Sequence, residues 1–335
     1  MTPRFRRFAA SRRILAGAFT LALTLALLVQ PAAAVEPTFF GADSVWNRTL
    51  APSQKIDKTS DARVAELNRQ VSQFGTWINH KQWSTPLYIV PGNTPNVKVT
   101  IDNPSPTCCP VIKKKSRKVP IPAGAQPANG GDRHITIFQP STNKLWEYWR
   151  SRTTPTGPGA EHGGIRSRVS TSSGIIRRGE GATASGLPVI AGTILLSEAQ
   201  AGEIPHALAM AVPQQLDGWV WPAQRTDGAV VSPPAGVPTN ARIPMGARFR
   251  LPASLNIDAQ PWHPFTKMLA RAAQKHGIVV RDQAGAVTLY AEQPLAGTNA
   301  DVWTPIFGTP YPSVRLAEFP WDQLQLIKLG RIKGT

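Results

Sequence analysis

The stretch Gly131-Asp132-Arg133-His134-Ile135-Thr136-Ile137-Phe138, followed by Leu145-Trp146-Glu147-Tyr148-Trp149, sets the frame for the fold. The two alternating runs flank Gln139-Pro140-Ser141-Thr142-Asn143, a breaker cluster of the kind that joins antiparallel strands. Successive side chains of a strand point to opposite faces, so His134, Thr136 and Phe138 share one face. A loop over residues 140–143 then sets Thr136 opposite Glu147 and His134 opposite Trp149. Glu147 lies diagonal to His134, within reach of a long side chain. An imidazole, a carboxylate and an indole on one sheet face are the materials of a sugar-binding or acid–base site.

Outward from this hairpin, the chain holds 32 prolines and 27 glycines among many short apolar runs, which favours a mainly β domain. The expectation is a two-sheet sandwich or jelly-roll-like domain with a few peripheral helices. A β-propeller-like fold is the alternative, weakened by the lack of a fixed repeat. Strands are expected at 87–90, 97–101, 134–139, 145–150, 190–196, 206–212, 218–221, 248–251, 278–281 and 287–291, the last two joined as a hairpin by Asp282-Gln283-Ala284-Gly285. Helices are expected where Ser60 caps Val64, Leu67, Val71 and Phe74 before Gly75, and where Phe265, Met268, Leu269, Ala272 and Ala273 precede Gly277. Residues 153–186, dense in Gly, Ser, Thr and Arg, read as a long functional or disordered loop.

Residues 1–34 read as a cleaved signal peptide: five arginines, an apolar run over 14–29, then Ala32-Ala33-Ala34. Ser11-Arg12-Arg13-Ile14-Leu15 is an imperfect twin-arginine pattern, so export by the general or the twin-arginine route leads to the same expectation, a secreted or extracytoplasmic domain over 35–335. No later stretch is apolar enough to span a bilayer. Removing the five arginines lowers the formal charge from +17 to about +12. Behind a signal peptide the basic clusters, Lys113-Lys114-Lys115-Ser116-Arg117-Lys118 foremost, suit an anionic cell-envelope polymer rather than nucleic acid; a solvated loop explains them equally simply. The two cysteines, Cys108 and Cys109, are adjacent and fit a structural turn, either as free thiols or as a vicinal disulfide.

The order of several blocks resembles one family of secreted bacterial proteins, common in actinobacteria and other soil bacteria. These are Gly131-Asp132-Arg133-His134, Leu145-Trp146-Glu147, Ala184-Ser185-Gly186-Leu187-Pro188, Glu203-Ile204-Pro205-His206-Ala207-Leu208, Trp221-Pro222-Ala223, Pro244-Met245-Gly246-Ala247-Arg248-Phe249-Arg250-Leu251 and Lys275-His276-Gly277-Ile278-Val279-Val280-Arg281-Asp282. The resemblance spans about residues 40–329. It implies that the blocks belong to one architecture and brings no activity with it. The segment after the Glu147 hairpin, longer and aromatic-rich in the family, is here basic over 153–174.

Among chemistries, glycoside hydrolysis needs two carboxyl groups across a cleft. Glu147, set among aromatic residues, is the first choice, with Asp132 or Asp227 as its partner; a turn or cap role accounts for Asp132 as well. A polysaccharide lyase would use His134, His206, Tyr148 and Arg133, although His206 alone could be a satisfied core histidine. Ser185 lacks the first glycine of a nucleophile elbow. No metal-ligand spacing, Walker loop or dinucleotide fingerprint occurs, so neither metal nor cofactor is expected, although Glu161-His162 or Asp132, His134 and His206 could still assemble in space. The expectation is thus an exported protein acting on polysaccharide as a glycoside hydrolase or lyase. His134, Glu147, His206 and Asp132 are the catalytic candidates; Arg133, Trp149, Tyr148, Arg225 and Asp227 would bind substrate. A non-catalytic carbohydrate-binding or envelope-associated protein is the alternative, in which some of the ten tryptophans, fewer than half, form the exposed face.

Overall fold

A computed structural model describes residues 1, 39–103, 109–116, 118–155, 157–176, 178–228, 236–295 and 301–334. The expected signal peptide lies outside the described residues, as does Cys108; Cys109 is buried and disulfide-bonded.

The larger of two stacked sheets contains β1 (Thr76–Asn79), β9 (Leu208–Val212), β10 (Arg248–Arg250), β11 (Ile278–Gln283), β12 (Val287–Tyr290) and β14 (Gln325–Leu326). Its order is β1-β12-β9-β11-β10-β14. The second contains β2 (Thr85–Ile89), β4 (Ile135–Gln139), β5 (Lys144–Trp149), β8 (His162–Ser167) and β13 (Glu292–Gln293), in the order β13-β2-β4-β5-β8. A small third sheet joins β3 (Thr100–Ile101), β6 (Arg152–Thr154) and β7 (Gly157–Ala160).

Alternation decides which side chains meet in each layer. On β9, Leu208, Met210 and Val212 pack with Val64 and Leu67 of α1 (Ser60–Phe74) and Phe265, Met268 and Leu269 of α4 (Pro264–Lys275). The intervening Ala207, Ala209 and Ala211 face the second sheet and meet Leu87, Phe138 and Leu145 there. Alanines on this face let the two sheets approach closely, with Trp46 filling the remaining space. The far side of the second sheet buries Ile135, Ile137, Trp146 and Tyr148 against Ile112 of α2 (Pro110–Lys115). The short α5 (Trp303–Phe307) and α6 (Ser313–Ala317) complete the helical layer, and α3 (Leu196–Ala201) follows the single bridge Ile194–Ala291.

The fold is therefore mainly β and sandwich-like with peripheral helices, and its sheets stack instead of radiating as blades. Both expected helices form. Four local expectations change. β11 and β12 do not pair as a hairpin, because β9, apolar on both faces, inserts between them, parallel to β11 and antiparallel to β12. The run 190–196 turns into α3 instead of forming a strand, and 218–221 contributes only bridges at Trp219. The glycine-rich region 153–186 supplies β7, β8 and part of β6, because its glycines admit neighbours that side chains would exclude. A Cβ on Gly163 would lie 2.6 Å from the Glu147 carbonyl oxygen. Among the described residues no helix is long and apolar enough to cross a membrane.

Gly192 holds the junction of the two sheets at φ 71°, where a Cβ would sit 2.5 Å from the Ala209 backbone nitrogen and 2.7 Å from the Trp46 ring. Gly192→Ala should therefore destabilise the protein by about 2–4 kcal/mol. A urea unfolding midpoint unchanged from the native protein would refute this.

Candidate functional site

The hairpin at the centre of the second sheet pairs Thr136 with Glu147 and Ile135 with Tyr148. A 3-10 turn over Pro140–Thr142 closes it, and Asn143 at φ 49° supplies the left-handed residue. β8 adds a third column in which Gly164 faces Glu147 and His162 faces Trp149. One row of the inner face thus reads Thr136, Glu147, Gly164. Beyond it, at the sheet's end, come His134, Trp149 and His162.

Gly164 explains what happens next. A Cβ there would stand 2.8 Å from the Gly181 nitrogen, so its absence lets the 180–191 loop cross the sheet at that point. Glu147, 0% exposed, anchors the loop: Oε1 accepts the Ala182 N–H at 3.0 Å and Oε2 the Val189 N–H at 2.9 Å. His134 donates from Nε2 to the Ala182 carbonyl at 2.8 Å. Arg225 stitches the same loop from outside, donating to the carbonyls of Thr183 (2.7 Å), Ala184 (3.2 Å) and Gly181 (3.3 Å) and to Nε2 of His162 (3.2 Å).

Between this loop, the end of the hairpin and the end of β11 lies a partly open pocket of about 250 Å³. Asp132, Asp227 and Asp282 reach it from three separate segments, beside His134, Trp149, His162 and Arg225. Trp149 donates its indole N–H to Asp132 at 3.1 Å, and Gln215 donates to Asp227 at 3.0 Å. A β-bulge between Val280 and Asp282 sets the geometry at the end of β11. It leaves Asp282 in the pocket wall and Arg281 buried behind it, stacked on Tyr290 at 4.1 Å.

This enclosure moves protons. Burial pushes the Asp282 carboxyl up to about 7; Arg281 opposes the shift, while Asp227 and Asp132 add to it. Burial likewise raises Asp227. Glu147 rises to about 7 by burial, against the pull of its two backbone N–H groups and of Arg281. His162 falls to about 4 through burial and the charge of Arg225, and burial lowers His134.

The sequence candidates therefore separate. Asp132, His134, Trp149, Arg225 and Asp227 meet at the pocket. Glu147 lies beneath its wall, sealed from solvent, and holds the loop. Tyr148, next in the strand, points to the opposite face, where its hydroxyl lies 3.2 Å from that of Ser116. Arg133 is exposed in the turn at φ 44° and donates to the Ser151 carbonyl. His206 precedes β9, at the end of the sheet opposite Asp282. There it donates from both ring nitrogens, to Ala207 O and Glu198 Oε2; burial works against its charge, and Glu198 outweighs burial and raises its pKa. Ser185 is buried in a turn, accepting the Leu187 N–H.

Two titratable residues of the pocket, Asp282 and His162, carry little signal in the sequence. Asp282 read as a turn residue, because the bulge that sets it in the wall leaves no pattern in sequence. His162 was weighed only as a metal ligand beside Glu161; its register opposite Trp149 depends on recognising a strand in a glycine-rich run. Among the described residues no group of three or more His, Cys, Asp or Glu side chains is arranged to hold a metal ion. No family model, curated protein or solved structure matches the chain.

The buried carboxyls make stability depend on pH. Glu147 titrates at about 7 when folded against an ordinary 4.5, and Asp282 at about 7 against 3.8. Between those limits the folded protein holds more protons than the unfolded chain, so stability is greatest below about pH 4 as far as these two groups act, and falls as pH rises to about 7. Glu147→Gln should remove part of that slope and cost about 1–3 kcal/mol, since an amide cannot accept both N–H groups. Denaturation at pH 5 and pH 8 checks both statements; an unaltered slope with native stability would contradict them.

Proposed function

We propose that this is an exported protein that hydrolyses a glycosidic bond of a polysaccharide, using paired carboxyl groups in the pocket between the sheets. The observation that carries the reading is the convergence of Asp132, Asp227 and Asp282 on one pocket, with the Asp282 carboxyl raised to about 7. A carboxyl that keeps its proton near neutrality beside a second acid is the division of labour such hydrolysis requires.

In this scheme Asp282 delivers a proton to the leaving glycosidic oxygen. Asp132, oriented by the indole N–H of Trp149, acts from across the pocket on the sugar or on the attacking water. Trp149 offers part of its ring as an apolar wall, one face of it carrying the Arg150 guanidinium at 4.3 Å. Glu147 is a positioning residue, buried and hydrogen-bonded to two backbone N–H groups of the loop. The lyase alternative loses ground because Tyr148, Arg133 and His206 do not line the pocket, and the guanidinium that does is Arg225. That guanidinium is committed to three loop carbonyls and to His162, which leaves it poorly placed to neutralise a uronate. A neutral glycan fits the pocket better. Export rests on the N-terminal basic and apolar segment together with its Ala-Ala-Ala site.

Purified protein should release reducing ends from at least one neutral polysaccharide in a panel of starch, xylan, cellulose and chitin. Asp282→Asn should lower that rate by a factor of about 100 or more. The rate should also decline above about pH 7, as Asp282 loses its proton. Retention of the glycan without cleavage, equal in the native protein and Asp282→Asn, would instead identify a binding protein.

A further inference from the structure

Trp83 is a large side chain that the fold holds open to solvent. It is 46% exposed, yet its backbone lies in the left-handed region at φ 47°, a conformation unfavourable for a residue of this size. Two hydrogen bonds impose that conformation: Trp83 N donates to Asn129 O at 2.7 Å, and Asn79 Nδ2 donates to Trp83 O at 3.0 Å. One side of the indole lies over Gly130, where a Cβ would collide at 2.7 Å with Cε2 and Nε1. At Gly131 a Cβ would stand 4.0 Å from Nε1. The next residue is Asp132, whose side chain lines the pocket. The turn of residues 130–132 therefore carries an exposed indole at one end and a pocket carboxyl at the other, with consecutive Cα atoms about 3.8 Å apart.

We propose that Trp83 is an aromatic platform for a neighbouring sugar unit of the chain whose scissile unit occupies the pocket. This rests on the hydrolase reading of that pocket and makes its substrate an oligomer or polymer instead of a single sugar. The indole gives a flat apolar surface that stacks on the C–H face of a pyranose, and its fixed backbone means that little conformational freedom is lost on binding. Gly130, at φ 94°, is the sequence counterpart of this arrangement, since a Cβ there would collide with the indole that lies against the turn.

The test uses the full-length secreted protein with malto-, xylo-, cello- and chito-oligosaccharides of two to six units. Kd is measured by calorimetry with the inactive Asp282→Asn protein as background. Trp83→Ala in that background should weaken the longest bound oligomer about tenfold, as expected for about 1.4 kcal/mol, and leave the two-unit oligomer within twofold. Trp83→Tyr should restore most of the loss. If Trp83→Ala folds poorly, Trp83→Tyr serves alone: the fluorescence change seen when the longest oligomer binds should shrink relative to the tryptophan parent. Equal affinity of parent and variant for all lengths, or an unaltered fluorescence change, would overturn the platform and leave the pocket reading standing. Failure of the parent to bind any oligomer would overturn both.

Discussion

A buried carboxylate and a buried guanidinium hold one loop from opposite sides, and the rest of the site depends on that grip. Glu147, from the second sheet, takes the N–H groups of Ala182 and Val189. Arg281, from the first, donates to the carbonyls of Val189 and Ala191 and to the Thr193 hydroxyl. Each charge is matched to the backbone dipoles it meets, so a loop of ordinary composition can be buried between two sheets without stranding its polar groups. Removing the Arg281 side chain would leave the carbonyls of Val189 and Ala191 without that donor in a dry interior, the costly case for buried polar groups.

That grip builds the pocket. Once the loop crosses at Gly164, its Ala182–Ala184 edge becomes a wall facing Asp132, Asp227 and Asp282. The packing that shields Glu147 also half-buries Asp282 in the pocket wall, and the neighbouring acids reinforce the effect of burial on its proton. Pocket chemistry and fold stability are therefore linked: the enclosure that retains a proton on Asp282 at neutral pH also costs stability there.

Much of this was legible from local pattern, and the remainder was not for definable reasons. The alternation around His134 and Glu147 and the breaker cluster between them predicted the hairpin register correctly, because strand periodicity and turn length are local quantities. The same alternation assigns Tyr148 to the face opposite its neighbour Glu147, away from the pocket. The aromatic neighbours of Glu147 mark it as the first-choice carboxyl, but its burial under a loop depends on Gly164 and Gly181, which are separated in sequence and meet only in the fold. His206 was placed near the hairpin on chemical type alone, whereas strand order carries it to the opposite end of the first sheet. Asp282 was hidden twice, by a bulge and by the insertion of β9 between the strands it seemed to connect.

The proton on Asp282 is the most direct test of this account. A carbon-13 NMR titration of the side-chain carboxyls, with the Asp282 resonance assigned by its loss in Asp282→Asn, reads that proton without requiring a substrate. A midpoint near 7 is expected for Asp282. A midpoint near the ordinary 3.8 would contradict it, showing that the wall held by Glu147 and Arg281 does not enclose the acid it was taken to activate.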